Sequence, residues 1–218
     1  MRVFPLFVLA LLLLSSSAHA QTDQDTTTDR PASSGIIEEG PSYDGVIPVE
    51  VRQDDEGNWT LYRGGEPYYI RGVGGIEFMD RAVEYGANSV RTGGAGEAIS
   101  VLDQAHELGL SVVFGLWVGM DRQGFDYSDT KSVEAQLARF RDVVRTYKDH
   151  PAILMWGVGN EVDLFYEDFK VWDAINNIAE MIKEEDPPHT TMTVTAGHDV
   201  AEIQLIMERA RAIDIKGI

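Results

Sequence analysis

The sequence predicts an α/β protein: a (β/α)8 TIM barrel carried through about six strands and preceded by a short β-hairpin. Three observations predict it. From residue 68 onward, short apolar runs alternate with longer segments whose apolar residues recur every three or four positions. The short runs are apolar on both faces, as strands of a parallel sheet covered by helices must be. Polar and aromatic residues stand at the ends of several successive strands, where a barrel gathers its site.

Taken in order, Val49, Val51, Trp59, Leu61 and Tyr68 lie in two alternating segments around Asp54-Asp55-Glu56-Gly57-Asn58, which reads as a hairpin. Residues 68–73 form the first barrel strand, followed by a helix with Ile76, Met79 and Val83 on one face. Residues 87–91 form the second, followed by Val101, Leu102, Ala105 and Leu108 at helical spacing. Residues 111–117 form the third; its helix carries Val133, Leu137, Phe140, Val144 and Tyr147, one clean apolar stripe. Residues 152–157 form the fourth, with Phe169, Trp172, Ile175, Ile178 and Ile182 on the next helix. Residues 190–195 form the fifth, with Val200, Ile203, Met207 and Ala210 behind it, and residues 213–218 open a sixth. Such a pattern fits either an open doubly wound sheet or a barrel. Gly72, Gly74 and Gly75 in the first strand–helix turn do not make the dinucleotide-binding spacing, and no phosphate-binding loop is present, so the barrel is favoured.

Ahead of the hairpin, the chain reads as an address. Arg2, the apolar run of residues 6–14 and the small-residue site Ala18-His19-Ala20 make a secretory signal peptide over residues 1–20. The run is shorter than the roughly 20 residues a membrane span needs. Export to the periplasm or the extracellular space is expected, with no membrane association after cleavage. Residues 21–45, rich in Thr, Ser, Asp, Gly and Pro, read as a disordered linker, and residues 46–218 as the partial barrel.

Composition removes whole classes of chemistry. With 18 Lys+Arg against 36 Asp+Glu, the formal charge of −18 argues against nucleic acid or anionic lipid as a partner. The chain has no Cys, which excludes thiolate nucleophiles, thiolate zinc sites and disulfides. Its five His are scattered, so no metal is expected. Carboxylates, Arg, Tyr, Trp and amides are left to carry the function.

The sharpest signal ends the fourth strand: Trp156-Gly157-Val158-Gly159-Asn160-Glu161, an apolar run closing on an amide and a carboxylate. Cleaving a glycosidic bond takes one carboxyl to protonate the leaving oxygen and a second carboxylate across the sugar. A donor must stay protonated near neutral pH, which partial desolvation favours. Glu161 at the rim of an apolar strand, beside Trp156, suits that task, and Asn160 suits a hydrogen bond to the sugar 2-hydroxyl. The plain alternative is that Asn160 caps the next helix and Glu161 sits in its first turn.

That run resembles the acid/base motif of the retaining glycoside hydrolases with (β/α)8 barrels. It is most similar to the catalytic barrel of family 2, which includes β-galactosidases and β-glucuronidases; families 5 and 72 share the pattern. Tyr68-Tyr69-Ile70-Arg71-Gly72-Val73, Asn88-Ser89-Val90-Arg91 and Ile213-Asp214-Ile215-Lys216-Gly217-Ile218 resemble the first, second and sixth strands of the same barrels. The resemblance implies that Glu161 is the general acid/base and that Arg91 orients the nucleophile. In the family that nucleophile is a Glu ending the seventh strand, so the chain is expected to be a piece of a longer protein cut at Ile218. The sugar-binding β-domain that precedes the family's barrel is expected to be absent, with only a linker ahead of the hairpin.

Other strand ends supply weaker candidates. Trp117 is either a platform for a sugar face or core packing. Asp121, Phe125, Asp126 and Tyr127 lie on the loop after the third strand and are suited to substrate contact or simply solvated. His198 follows the fifth strand and either reaches the pocket or starts a helix. His106, His150 and His189 read as surface or loop residues, and Glu184-Glu185-Asp186 as a solvated helix end. The expectation is an exported retaining glycosidase acting on an oligo- or polysaccharide without a cofactor. The alternatives are a carbohydrate-binding half-barrel without catalysis and a glucanosyltransferase-type transglycosylase.

Overall fold

The computed structural model describes residues 45–217 apart from Ala95, Glu97 and His198. The expected signal peptide, all but the last residue of the expected linker, and His198 therefore lie outside the described residues.

Two sheets make up the described chain. The first is antiparallel, β1 (Val49–Gln53), β2 (Trp59–Arg63) and β3 (Glu66–Pro67), in the order β1-β2-β3. Its hairpin follows from the turn sequence. The Asp54 carboxylate accepts the Asn58 backbone N–H at 2.7 Å, and Gly57 takes a positive φ of 89° where a side chain would be strained. Val51 then pairs with Leu61.

The second sheet is parallel: β4 (Gly72–Gly74), β5 (Ser89–Arg91), β6 (Ser111–Leu116), β7 (Ile153–Val158), β8 (Thr190–Val194) and β9 (Ile215–Gly217). Its spatial order is the sequence order, β4-β5-β6-β7-β8-β9, with no reversal. A doubly wound sheet reverses direction at its switch point; monotonic winding is that of a barrel. Helices α1 (Met79–Glu84), α2 (Ala98–Glu107), α3 (Thr130–Tyr147), α4 (Lys170–Glu185) and α5 (Val200–Arg209) fill the connections.

Strand alternation, interrupted where the β6–β7 register shifts between Val112 and Val113, divides the apolar side chains between two cores. Val112, Phe114, Leu116, Ile153, Trp156 and Val158 join the helix layer, including Leu102, Phe140, Val144, Trp172, Ile175 and Ile178. Val113, Leu154 and Met155 join a smaller inner cluster with Val49, against which Leu61, Tyr68, Met192 and Ile215 pack. The antiparallel sheet thus floors the barrel interior. It is tied there by Val49 N–H to the Pro188 carbonyl (2.8 Å) and by Arg63 to the Pro151 carbonyl (2.9 Å).

Three expectations change. The first barrel strand is shorter than residues 68–73. Tyr68 N–H donates to Leu61 of the hairpin, while the Asn88 side chain takes over Tyr69 and Arg71, at 2.9 and 2.8 Å, in place of a ladder. On α5 the apolar stripe is rotated: Ile206 and Ala210 are buried, but Val200 and Met207 are exposed, because the helix packs chiefly against α4. The run Glu184-Glu185-Asp186 is also not simply solvated. Glu185 receives Arg145 and Arg141 from α3, joining α3 to α4. Asp186 is buried, accepting Trp156 Nε1 at 2.6 Å and meeting His189 Nδ1 at 2.9 Å, so His189 is a core residue too. An indole N–H forced into the helix layer needs an acceptor there.

The hydrogen bonds from Arg145 and then Arg141 draw the Glu185 carboxyl from its ordinary 4.5 down to about 2. A carboxyl depressed by folding contributes stability above its unfolded value and loses it as the pH falls. Glu185→Gln is therefore expected to melt below the native protein at pH 7, the gap closing as pH drops from 4.5 toward 2. A gap that persists unchanged at pH 2 would show that the pairing does not stabilise the fold.

Candidate functional site

At the C-terminal ends of the strands the inward-facing positions change character. Below, they are Val113 and Met155; one pleat higher they are Gly115 and Gly157, paired in register. With no side chains at that level the barrel mouth stays hollow. A cleft of about 330 Å3 opens there, lined by Arg91, Thr92, Gly115, Trp117, Gly157 and Asn160 among others. Gly115 has a second reason to be glycine: a Cβ there would lie 2.4 Å from the Thr92 carbonyl oxygen. The Thr92 hydroxyl accepts the Gly115 N–H at 2.9 Å, which draws the β5 end against β6.

Arg91 ends β5 and is half-buried, and its Nε is buried with no hydrogen-bond acceptor among the described residues. Burial pulls its guanidinium below the ordinary value, and the negative charge of Glu161 partly offsets this. A half-buried cation with an unspent donor, facing a carboxylate across the strand ends, is arranged to receive an anionic group.

Glu161 follows β7 directly. Gly159, with φ 76°, turns the chain away from the strand, and its N–H still donates to Leu116 at 3.0 Å. Glu161 itself has φ 48°, a left-handed conformation that non-glycine residues avoid. Its N–H donates to the Val194 carbonyl on β8 at 2.8 Å, and its own carbonyl accepts Arg122 Nη1 at 2.7 Å. Asn160 lines the cleft, and Glu161 is half-buried beside it. Helix α4 starts only at Lys170, so Asn160 does not cap it and Glu161 is not in its first turn. Trp156, expected beside Glu161, instead points outward into the helix layer, against Phe114 with ring centroids 5.2 Å apart. Strand alternation sends it to the face opposite the cleft.

The remaining candidates separate. Trp117 lies on the cleft wall and is 46% exposed, which is not core packing. Asp121 lies in a different hollow, beside Phe125, Asp126 and Phe165, and does not line the cleft of Arg91. One of its oxygens accepts the N–H groups of Glu167 and Asp168, at 3.1 and 2.9 Å, so it braces the loop after β7. Tyr127 is buried, its hydroxyl donates to the Gly119 carbonyl, and burial raises its pKa.

Sequence reasoning missed the residues that hold the loops. Asp163 accepts the Ala196 N–H at 2.9 Å and the Gly197 N–H at 3.3 Å, fixing the loop after β8 that leads to His198. Buried Gln136 of α3 accepts the Gly119 N–H at 2.7 Å. A polar residue in the α3 stripe was the one available signal; Asp163 and Arg122 carry none, since both act on backbone groups distant in sequence.

The chain is 29% identical over 160 residues to a β-galactosidase of Thermoanaerobacter pseudethanolicus. The match covers 66% of this chain and 20% of that protein. Among solved structures, a calcium binding mutant of Bacteroides uniformis β-glucuronidase 2 superposes with a TM-score of 0.58. It is 19% identical over 77% of this chain and 22% of that one. Parabacteroides merdae β-glucuronidase superposes with a TM-score of 0.55 at 18% identity, over 77% and 22%. These two likenesses are of fold. The chain thus spans about a fifth of the length of the relatives it matches. The family described as glycosyl hydrolases family 2, TIM barrel domain, matches residues 76–214, from the turn after β4 to the start of β9. The chain belongs to that family.

Proposed function

We propose that this chain carries the acid/base half of a retaining glycosidase that acts on an oligo- or polysaccharide. The observation that supports it most is Glu161 following the Asn160 that lines the cleft, at the C-terminal rim of a family 2 barrel, with its charge acting on a half-buried Arg91.

In the first step Glu161 gives its proton to the leaving glycosidic oxygen while a carboxylate attacks the anomeric carbon, forming a covalent glycosyl-enzyme. In the second, Glu161 takes a proton from water, and that water releases the sugar with the configuration it began with. The attacking carboxylate is read as the Glu of a seventh strand, following β9 around the barrel. Arg91 is its anchor: the free Nε is a donor for the anionic form and orients it. Asn160 offers its amide to the sugar 2-hydroxyl, and the exposed Trp117 ring offers a flat apolar face to the sugar. Both protons and the nucleophile come from carboxyl groups and water, so this sequence of steps calls on no cofactor. His198 is kept in this scheme as a pocket residue from its place in the sequence after the fifth barrel strand. Export rests on Arg2, the apolar residues 6–14 and Ala18-His19-Ala20.

Glu161→Gln, in the polypeptide as its gene encodes it, is expected to slow hydrolysis of phenyl glycosides by roughly 10²- to 10⁴-fold. Unchanged turnover would remove the assignment. Arg91→Met is expected to cut turnover by at least about tenfold yet melt no lower than the native protein. A half-buried cation with an idle donor costs the fold more than an apolar chain of similar length. A melting temperature several degrees lower would give Arg91 a structural task instead.

A further inference from the structure

A proton donor works only if its carboxyl is held in one place, and Glu161 is held through its backbone. Its left-handed φ of 48° is one that an L side chain enters only when the surroundings impose it. Two hydrogen bonds impose it here: the N–H to Val194 and the carbonyl from Arg122 Nη1 at 2.7 Å. The same nitrogen donates to the Leu164 carbonyl at 3.1 Å, while Leu164 N–H donates back to the Glu161 carbonyl at 3.2 Å. One guanidinium nitrogen therefore spans the turn that begins at Glu161. Arg122 comes from the loop after β6, next to Asp121, which grips the same β7 loop further along at Glu167 and Asp168. Arg122 is itself exposed, so it contributes little to any core.

We propose that Arg122 is a positioning residue for the acid/base. It holds Glu161 in the left-handed conformation that aims its carboxyl, and it does so without touching substrate. This rests on the reading of Glu161 as proton donor. Because the bond is made to a carbonyl, only the donor geometry of the side chain matters, and a shorter or uncharged chain cannot span both oxygens.

A merely structural contact and a positioning contact differ in one readout. 2,4-Dinitrophenolate leaves a glycoside without being protonated, whereas phenolate needs a proton, so in kcat/KM, which reports the first step, loss of a correctly placed acid slows only the phenyl glycoside. The experiment compares Arg122→Met, Arg122→Lys and Glu161→Gln, in the polypeptide as its gene encodes it, on both aryl glycosides of galactose and of glucuronic acid. Glu161→Gln is expected to lose about 100-fold or more in kcat/KM on the phenyl glycoside and little in kcat/KM on the dinitrophenyl one, whose kcat falls because the second step has lost its base. Arg122→Met is expected to lose about tenfold in kcat/KM on the phenyl glycoside alone, at an unchanged melting temperature, and Arg122→Lys to recover part of it. If Arg122→Met lowers kcat/KM equally for both substrates, or for neither, while Glu161→Gln is selective, the positioning role is overturned. If Glu161→Gln itself is not selective, or the native protein turns over neither sugar, the acid/base reading falls and this inference falls with it.

Discussion

The parallel ladder between β6 and β7 organises the rest of the molecule. Its register sets Phe114 against Trp156 on the outer face and Gly115 against Gly157 on the inner one. The outer pair anchors the helices, and the inner pair, having no side chains, leaves the barrel mouth empty. A shift of either strand by one residue would put the indole into the mouth and the glycines under the helices. The same register brings Trp117 and Asn160 to one wall of the cleft, because they continue the two strands past the glycines.

Strain and satisfaction are distributed unevenly over this frame. The helix layer holds a buried carboxylate, Asp186, which is used fully by Trp156 and His189. At the mouth, Arg91 Nε is buried and unused, and Glu161 sits at a positive φ. Buried polar atoms without partners among the described residues are found elsewhere too, such as His189 Nε2 and Gln136 Nε2, but Arg91 is a charged one at the rim of the cleft. The loops that carry these groups are tied to each other by carboxylates and one arginine acting on backbone groups. Buried Val118, Tyr127 and Val162 root the same loops in the helix-layer core.

The fold was legible because periodicity and burial agree. Leu102, Phe140, Val144, Trp172, Ile175 and Ile178 were readable as core from spacing alone, and all are buried. Monotonic strand order was the one point that spacing left open. The errors share a cause: residues whose partners are remote in sequence. Asn88 replaces the early ladder of the first strand, Asp186 answers an indole thirty positions away, and α5 packs chiefly against α4 with Val200 and Met207 exposed. In the site, the strand-end residues Arg91, Trp117 and Asn160 could be placed from the ends of apolar runs, and they meet in one cleft. Asp121 was placed on the right loop, but its carboxylate is spent on backbone amides, which no local pattern announces.

The central claim is that Glu161 is the proton donor of a retaining mechanism. It is tested most directly by adding azide to the Glu161→Ala variant. With the acid/base gone, the small anion has room to attack the glycosyl-enzyme without needing proton removal. The account predicts that azide accelerates turnover of a dinitrophenyl glycoside and that the product is a glycosyl azide of unchanged anomeric configuration. No acceleration by azide, or a product of inverted configuration, would contradict it.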